Sequence, residues 1–227
     1  MVNVKGVVFD LDHTLFDRYA TLAEIMKDFV VHFDVSEGMT AEKAAELITY
    51  ADKHFVHFGW DRILAYLTEK GMFKTAPSLS EYSEYLLDMF TKIAVPYPFT
   101  KPTLKMLREN GIKTGLITNG RGEVQRAKLR LLGLDDGCFD EIIISGEFGK
   151  RKPSPEPFLA MAERLGFKPE ELMYVGDHPI FDVDASRKAG YIPVWVMTTG
   201  TWVYPETEKP DIRIENVSAL PEIIGLK

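Results

Sequence analysis

The sequence has one cysteine, no long apolar run and fewer basic than acidic residues, and each shortage excludes a class of protein. Cys138 cannot form an internal disulfide by itself, which favours a reducing cytosol. No apolar run reaches the roughly 18 residues that a transmembrane helix needs. There are 27 Lys and Arg against 34 Asp and Glu, a formal net charge of −7. Because nucleic-acid binding needs a clustered basic face, we expect neither nucleic acid nor a membrane as a partner.

The chain begins with a short β-branched apolar run, residues 4–9, which predicts a buried strand. Asp10 interrupts this run too early for a signal peptide, so we expect a cytoplasmic protein. With 227 residues and 45% hydrophobic content, the chain is long enough for one domain with an inserted module.

Two changes of pattern, near residues 16 and 96, divide the chain. Between them the apolar residues recur with a period near 3.6, and turns carry glycine, which predicts an all-helical module over residues 17–95. Its predicted helices span residues 19–33, 41–58, 60–69 and 80–93. The expected core therefore consists of residues 1–16 and 96–227.

After residue 96, short apolar runs alternate with amphipathic helices. The predicted strands cover residues 112–117, 141–144, 172–175, 193–196 and 212–214. Gly133 is expected to end one of the helices in a left-handed conformation. Apolar strands that alternate with helices are typical of a parallel sheet covered on both faces, so the fold class is α/β.

Polar residues follow the predicted strands at the ends where ligands bind in open parallel sheets. In isolation, Thr118 would be interpreted as a helix cap and Lys152 as a solvated lysine. Together, at equivalent strand ends, they indicate a site, and its acids need a cation and an anionic ligand to balance them. The residues are Asp10 and Asp12 after the first strand, Thr118 and Asn119 after the second, Lys152 after the third, and Asp177 with Asp182 after the fourth.

These residues, in this order, resemble the four motifs of the haloacid-dehalogenase-like hydrolases. The motifs are Asp10-Leu11-Asp12-His13-Thr14-Leu15, then Thr118, then Lys152-Pro153, then Gly176-Asp177 with Asp182. The resemblance covers essentially the whole chain. It implies a Rossmann-like, doubly wound core with an inserted helical cap, as in phosphoglycolate phosphatases, 5′-nucleotidases and sugar-phosphate phosphatases. Small departures are His13, where glycine is commonest, and His178-Pro179 and Phe181 in the fourth motif.

The resemblance implies a phosphatase that uses Mg²⁺. Asp10 is then the nucleophile, which forms an aspartyl phosphate, and Asp12 is the general acid and base. The metal is expected on the carboxylates of Asp10 and Asp177 and on the backbone carbonyl of Asp12. Asp182 is expected either to reach the metal through water or to steady Lys152. The phosphate-binding residues are then Thr118, Asn119 and Lys152.

Other activities of the same superfamily, and one other class of protein, remain as alternatives. Dehalogenases lack the second aspartate, and its presence here as Asp12 makes that activity the less favoured one. A phosphomutase or phosphotransferase would use the same four motifs and stays open. A phospholigand-binding module without catalysis would be expected to lose Asp10 or Asp12, and both are present.

The sequence leaves the substrate open among nucleoside monophosphates, phosphosugars and small phosphoacids. An aromatic segment, residues 54–60, either forms part of the core of the helical module or presents a stacking surface for the substrate. We place Trp60 and Arg18 as candidate specificity residues. The oligomeric state, monomer or homodimer, is also left open.

Overall fold

The computed structural model describes residues 4–135, 137–199, 202 and 204–226, and it divides into two units. The first, which we call the core unit, comprises Met1–Asp17 and Pro96–Lys227. The second, which we call the helical unit, is the contiguous segment Arg18–Val95.

The sheet of the core unit has six parallel strands in the order β5-β4-β1-β6-β7-β8. The strands of the described residues, in chain order, are β1 (Gly6–Phe9), β2 (Phe16–Asp17), β3 (Val95–Pro96), β4 (Lys113–Thr118), β5 (Glu141–Ile144), β6 (Leu172–Gly176), β7 (Ile192–Val196) and β8 (Ile212–Ile214). The short strands β2 and β3 are not part of the six-stranded sheet. β1 lies between β4 and β6, and Phe9 pairs with Leu116 on one side and Val175 on the other. The predicted α/β class with a parallel sheet is confirmed.

The helices alternate with the strands in the core unit and follow one another in the helical unit. In chain order they are α1 (Arg18–His32), α2 (Ala41–Phe55), α3 (Trp60–Glu69), α4 (Leu79–Phe90), α5 (Thr100–Glu109), α6 (Gly122–Leu132), α7 (Ser145–Phe148), α8 (Glu156–Leu165), α9 (Ala185–Lys188) and α10 (Leu220–Ile223). A π-helical segment, Pro179–Asp184, precedes α9. α6 ends at Gly133 with φ 60° and ψ 43°, the predicted left-handed cap.

A continuous apolar core lies between the sheet and α8. Phe158 and Met161 of α8 are buried together with Val8 of β1 and Tyr174 of β6. The central strands β1 and β6 are buried along their whole length, as expected where both faces of a parallel sheet are covered. This leaves the carboxyl ends of the strands, and the loops that follow them, to carry polar residues.

The helical unit differs from prediction at several helix ends, including both ends of α1, which lie one residue earlier than expected. The expected helix over residues 41–58 is interrupted, because α2 ends at Phe55 and Val56–Phe58 form a 3₁₀ turn before Gly59 at φ 112°. α4 begins one residue earlier than expected, because Ser78 forms a capping box with Glu81. It also ends three residues earlier, at Phe90, with Thr91 as its C-cap. In the parts of the chain that are described, no helix has the length and apolar character needed to cross a membrane.

Candidate active site

The candidate site starts with Asp10, directly after β1. Its backbone N–H donates to the carbonyl oxygen of Val175 at 2.9 Å, which keeps it in line with β6. The residue is only 7% exposed. Burial raises the pKa of Asp10 to about 7, and although Lys152 opposes this shift, Asp182 adds to it. A further positive charge beside Asp10 would favour the ionised form of this carboxylate.

His13, in the loop after β1, has φ 64°, in the left-handed region that favours glycine. The loop turns here, with the N–H groups of Thr14 and Leu15 both donating to the carbonyl oxygen of Leu11. This explains why the haloacid-dehalogenase motif that the sequence resembles has glycine at this position.

The buried ammonium group of Lys152 connects two of the predicted site acids. Its Nζ lies 2.6 Å from Oδ1 of Asp10, 2.6 Å from Oδ1 of Asp182 and 2.9 Å from the hydroxyl of Tyr174. Burial alone would lower the pKa of Lys152, but the two carboxylates raise it well above its ordinary value. The lysine therefore keeps its charge beside Asp10.

Two residues at the end of β4 support this arrangement. The side chain of Asn119 accepts a hydrogen bond from the backbone N–H of Lys152 at 2.9 Å and donates one to its carbonyl oxygen at 3.0 Å. Asn119 thus fixes the backbone that carries Lys152, while its predicted contact with phosphate stays a prediction. The Thr118 hydroxyl is buried and accepts a hydrogen bond from Nε2 of Gln125 at 2.6 Å.

Asp177 and Asp182 complete a cluster of acids that could hold a cation. One carboxylate oxygen from each of Asp10, Asp177 and Asp182 lies within 4.8 Å of the others. Burial, followed by repulsion from Asp182 and Asp10, raises the pKa of Asp177 well above its ordinary value. Gly176 permits this close approach, because a Cβ atom there would lie 2.5 Å from Cβ and Cγ of Asp182.

Neighbouring residues also orient the backbone of this cluster. Nε1 of Trp195 donates to the carbonyl oxygen of Asp177 at 2.8 Å, and the N–H of His178 donates to Oδ2 of Asp182 at 3.0 Å. Nδ1 of His178 accepts from the N–H groups of Ile180 and Phe181, so the imidazole caps the first turn of the π-helical segment. Burial lowers the pKa of His178 to about 4, consistent with a neutral ring in this role.

Asp12 is held by two residues that the sequence did not single out. Nζ of Lys128 lies 2.8 Å from Oδ1 of Asp12 and 3.1 Å from Oδ2, and Nε2 of Gln125 lies 3.2 Å from Oδ2. Both residues are on α6. A signal for them exists in the sequence: they occupy the same face of the helix as Leu132, so two polar residues interrupt an apolar stripe.

The charges and the donor set fit a divalent cation. Four carboxylates (Asp10, Asp12, Asp177 and Asp182) meet two ammonium groups (Lys128 and Lys152), which leaves an excess of two negative charges when all are ionised. Hard carboxylate oxygens are the ligands that Mg²⁺ prefers. Burial is the largest cause of the raised pKa values of Asp10 and Asp177, and repulsion among the carboxylates adds to it.

The two candidate specificity residues, Arg18 and Trp60, have partners within the helical unit. Arg18 is buried, with its Nη2 2.9 Å from Oδ1 of Asp52 and its guanidinium over the ring of Phe90 at 4.6 Å. Trp60 is partly buried and packs edge-on against Tyr82, with ring centroids 6.4 Å apart. Both contacts are those of structural residues, and the expected roles toward substrate stay predictions.

The chain is similar to known proteins over most of its length. Residues 7–196 match the family described as haloacid dehalogenase-like hydrolase. The chain is 34% identical over 202 residues to the glyceraldehyde 3-phosphate phosphatase of Methanopyrus kandleri, covering 84% of this chain and 83% of that protein. It is 29% identical over 188 residues to the phosphoglycolate phosphatase of Aquifex aeolicus, covering 82% of each. The crystal structure of a HAD phosphatase from Thermococcus onnurineus matches with a TM-score of 0.62 at 28% identity, covering 97% of this chain and 98% of that one.

Proposed function

The chain belongs to the haloacid dehalogenase-like hydrolases, and on this premise we propose that it is a Mg²⁺-dependent phosphatase that transfers the phosphoryl group of a small phosphate monoester to Asp10. One observation carries the proposal. The buried ammonium of Lys152 bonds to both Asp10 and Asp182, and a carboxylate oxygen of Asp177 lies within 4.8 Å of oxygens from both acids. In this arrangement Asp10 would be the nucleophile and Lys152 its charge partner, and both would lie beside the carboxylate oxygens that can bind a cation.

Asp10 and Asp177 would hold the metal, together with the backbone carbonyl of Asp12. When bound, Mg²⁺ offsets the repulsion between the Asp10 carboxylate and an anionic phosphate. Lys152 contributes positive charge from the protein side, since its Nζ is 2.6 Å from Oδ1 of Asp10. Thr118 and Lys152 would donate hydrogen bonds to the transferring phosphoryl group, where they stabilise the charge that develops in the transition state.

The proposed reaction has two steps. In the first, an oxygen of Asp10 attacks phosphorus, the bond from phosphorus to the leaving oxygen breaks, and Asp12 gives that oxygen a proton. In the second, Asp12 takes a proton from a water molecule, the water oxygen attacks phosphorus, and the bond to Asp10 breaks. Inorganic phosphate leaves, and the Asp10 carboxylate and the protonated Asp12 are restored.

The names of the relatives support a small phosphate ester as substrate. Two similar proteins are named glyceraldehyde 3-phosphate phosphatase and phosphoglycolate phosphatase. We therefore propose these two esters as the first substrates to assay, beside a nucleoside monophosphate and a hexose phosphate.

The test is hydrolysis of p-nitrophenyl phosphate by the purified protein with Mg²⁺, after removal of metal by EDTA, and after Mg²⁺ is restored. We expect activity to be lost with EDTA and to return with Mg²⁺. The Asp10→Asn variant should form no acid-stable phosphoenzyme, because the nucleophile is gone. Turnover that persists after complete removal of metal, or a phosphoenzyme in Asp10→Asn, would refute the proposed function.

A further inference from the structure

α6 directs two buried polar side chains at Asp12. Gln125 is 2% exposed and Lys128 is 3% exposed, and their spacing of three residues places them on the same face of the helix. The side chain of Asp12 is 22% exposed, so the lysine lies behind the carboxylate and the carboxylate lies in front, toward solvent. The contact with Asp12 therefore gives Lys128 a route by which it can influence the reaction.

The contacts of Lys128 fix the orientation of the carboxyl group. Nζ is within hydrogen-bonding distance of both oxygens of Asp12, at 2.8 and 3.1 Å, and this two-point contact restricts rotation of the group. A lysine this deeply buried is stable only with such a partner, because desolvation of an unpaired ammonium is strongly unfavourable. Its position over the ring of Phe16, 5.3 Å from the centroid, holds the ammonium from another side.

Gln125 couples this carboxyl group to the end of β4. Its Nε2 lies 3.2 Å from Oδ2 of Asp12, 2.6 Å from the hydroxyl of Thr118 and 3.3 Å from the carbonyl oxygen of Asn119. Gly120 leaves the space for this side chain, since a Cβ atom there would lie 2.9 Å from Cγ of Gln125. The amide thus sets the spacing between Asp12 and the residue that we assign to the phosphoryl group.

We propose that Lys128 and Gln125 are positioning residues for Asp12, which hold its carboxyl group in the orientation that exchanges a proton with the leaving oxygen and then with water. This inference rests on the proposed function, because Lys128 and Gln125 would act through Asp12, to which that function assigns the proton transfers. It goes beyond that function in predicting that two residues outside the four motifs determine how well poor leaving groups are expelled.

The test compares Lys128→Met with the parent enzyme on aryl and alkyl phosphates, with kcat/KM as the readout. This ratio reports the steps up to release of the leaving group, which is the step where Asp12 donates its proton. p-Nitrophenolate leaves with little protonation, so we expect kcat/KM for that ester to stay within about threefold of the parent. For an alkyl ester such as glycerol phosphate we expect a loss of about 10²-fold, the usual effect of misplacing a catalytic group by about 1 Å.

A double-variant cycle separates positioning from general damage. In an Asp12→Asn background, Lys128→Met should cause no further loss on the alkyl ester, because the group that it positions is already absent. Gln125→Leu should also cost more on the alkyl ester than on the aryl ester, but with some loss on both, because it removes one contact with Asp12 and also the hydrogen bond to Thr118. Arg126→Met is the matched control, because Arg126 is on the same helix but pairs with the exposed Glu147 at 2.8 Å; it should leave both substrates unchanged.

The inference is overturned if Lys128→Met reduces aryl and alkyl turnover equally, or if its loss adds fully to that of Asp12→Asn. Thermal unfolding identifies a variant that has simply lost its fold, and Lys128→Gln, which keeps an N–H donor, then replaces it in the same comparison. A failure of the proposed function would be recognised separately, since the parent enzyme would then lack Mg²⁺-dependent hydrolysis of either ester.

Discussion

At the scale of single residues, the ammonium group of Lys152 is held by three partners. An ammonium has three N–H donors, and those of Lys152 meet Asp10, Asp182 and Tyr174 at 2.6, 2.6 and 2.9 Å. Any contact with a phosphoryl group must therefore replace or share one of these bonds. These three bonds orient the Lys152 side chain before a substrate binds, so the side chain has little conformational freedom left to lose.

Removal of a group that donates to the phosphoryl oxygens should reduce turnover strongly. We expect Lys152→Ala and Thr118→Ala each to lower kcat by about 10²–10³, as for a preorganised donor in comparable sites. Lys150→Ala is the control, because Lys150 is two residues away with 62% of its side chain exposed. Steady-state kinetics on one aryl phosphate measures all three variants. A Lys152→Ala enzyme within threefold of the parent would remove the lysine from the proposed mechanism.

Asp140 provides a pH-dependent contribution to stability away from the site. It accepts hydrogen bonds from Nζ of Lys113 at 2.7 Å and from the N–H of Thr114 at 2.8 Å. Although burial tends to raise the pKa of Asp140, these donors lower it overall. A carboxylate whose pKa is lowered in the folded state stabilises that state at pH values above its ordinary pKa of about 3.9. This contribution to stability is lost as the pH falls through the pKa of the folded state.

We therefore expect Asp140→Asn to lower the midpoint of thermal unfolding at pH 7 and to change it much less near pH 3. The loss at pH 7 should be about 1 kcal/mol, the usual range for a partly exposed charged hydrogen bond. Thermal unfolding followed by circular dichroism at both pH values measures this. An equal difference at pH 7 and pH 3 would show that the charge of Asp140 contributes nothing.

At the scale of elements, local signals were sufficient to predict most helices and strands. Glu141–Ile144 and Trp60–Glu69 have the predicted bounds, because a β-branched run and a glycine-bounded amphipathic run mark them clearly. Parallel pairing then brings the strand ends, and so Asp10, Lys152 and Asp182, to one place. This much of the site follows from chain order and sheet geometry alone.

The supporting contacts of the site could not be predicted in this way. Lys128 and Asp12 are 116 residues apart in sequence, and a lysine on an amphipathic helix usually indicates a solvated face. Whether its side chain points outward or into a site depends on the rotation of α6 against the sheet. That rotation is set by packing across several elements, and although the place of Lys128 on the apolar stripe of α6 indicates burial, it does not identify Asp12 as the partner.

The helical unit contains a buried ion pair between its first two helices. Arg18 at the start of α1 pairs with Asp52 of α2, with 11% and 2% of their side chains exposed. Removing one partner leaves the other charge buried and unpaired, which in comparable cases costs about 3–5 kcal/mol. We expect Asp52→Asn to lower the thermal midpoint markedly, and Arg18→Met with Asp52→Leu together to recover much of the loss.

Thermal unfolding of the single and double variants tests this role of Arg18. A double variant no more stable than Asp52→Asn would show that the two charges are not coupled. An Arg18→Met variant of unchanged stability that loses kcat/KM would instead favour the substrate contact predicted from the sequence.

At the scale of the whole molecule, the insertion point suggests which unit selects the substrate. The chain leaves the core unit after Asp17, shortly after Asp10 and Asp12, and returns at Pro96. In the proposed mechanism the core-unit residues would contact only the metal and the phosphate group with its ester oxygen, and all phosphate monoesters share that group. Discrimination between leaving groups must then come from other residues, and we expect the helical unit to supply them.

The Trp60→Ala variant tests this expectation. If the indole contacts the substrate, the variant should lose about 1–3 kcal/mol in kcat/KM for the preferred ester, by analogy with base–aromatic stacking, and retain its activity on acetyl phosphate. If the contact of Trp60 with Tyr82 is its whole role, thermal stability should fall and all substrates should be affected alike. A comparison of the two substrates with the unfolding midpoint distinguishes these outcomes.

The central position of β1 also imposes an order on biosynthesis. β1 leaves the ribosome first, but Val8 pairs with Gly115 and Tyr174, which are translated much later. The helical unit is contiguous, so the nascent chain contains all of it before either neighbour of β1 exists. Asp177 and Asp182 are also translated late. A chain that stops short of β6 therefore lacks Asp177 and Asp182, the two acids that lie beside Asp10 in the cluster, and we expect no such product to be active.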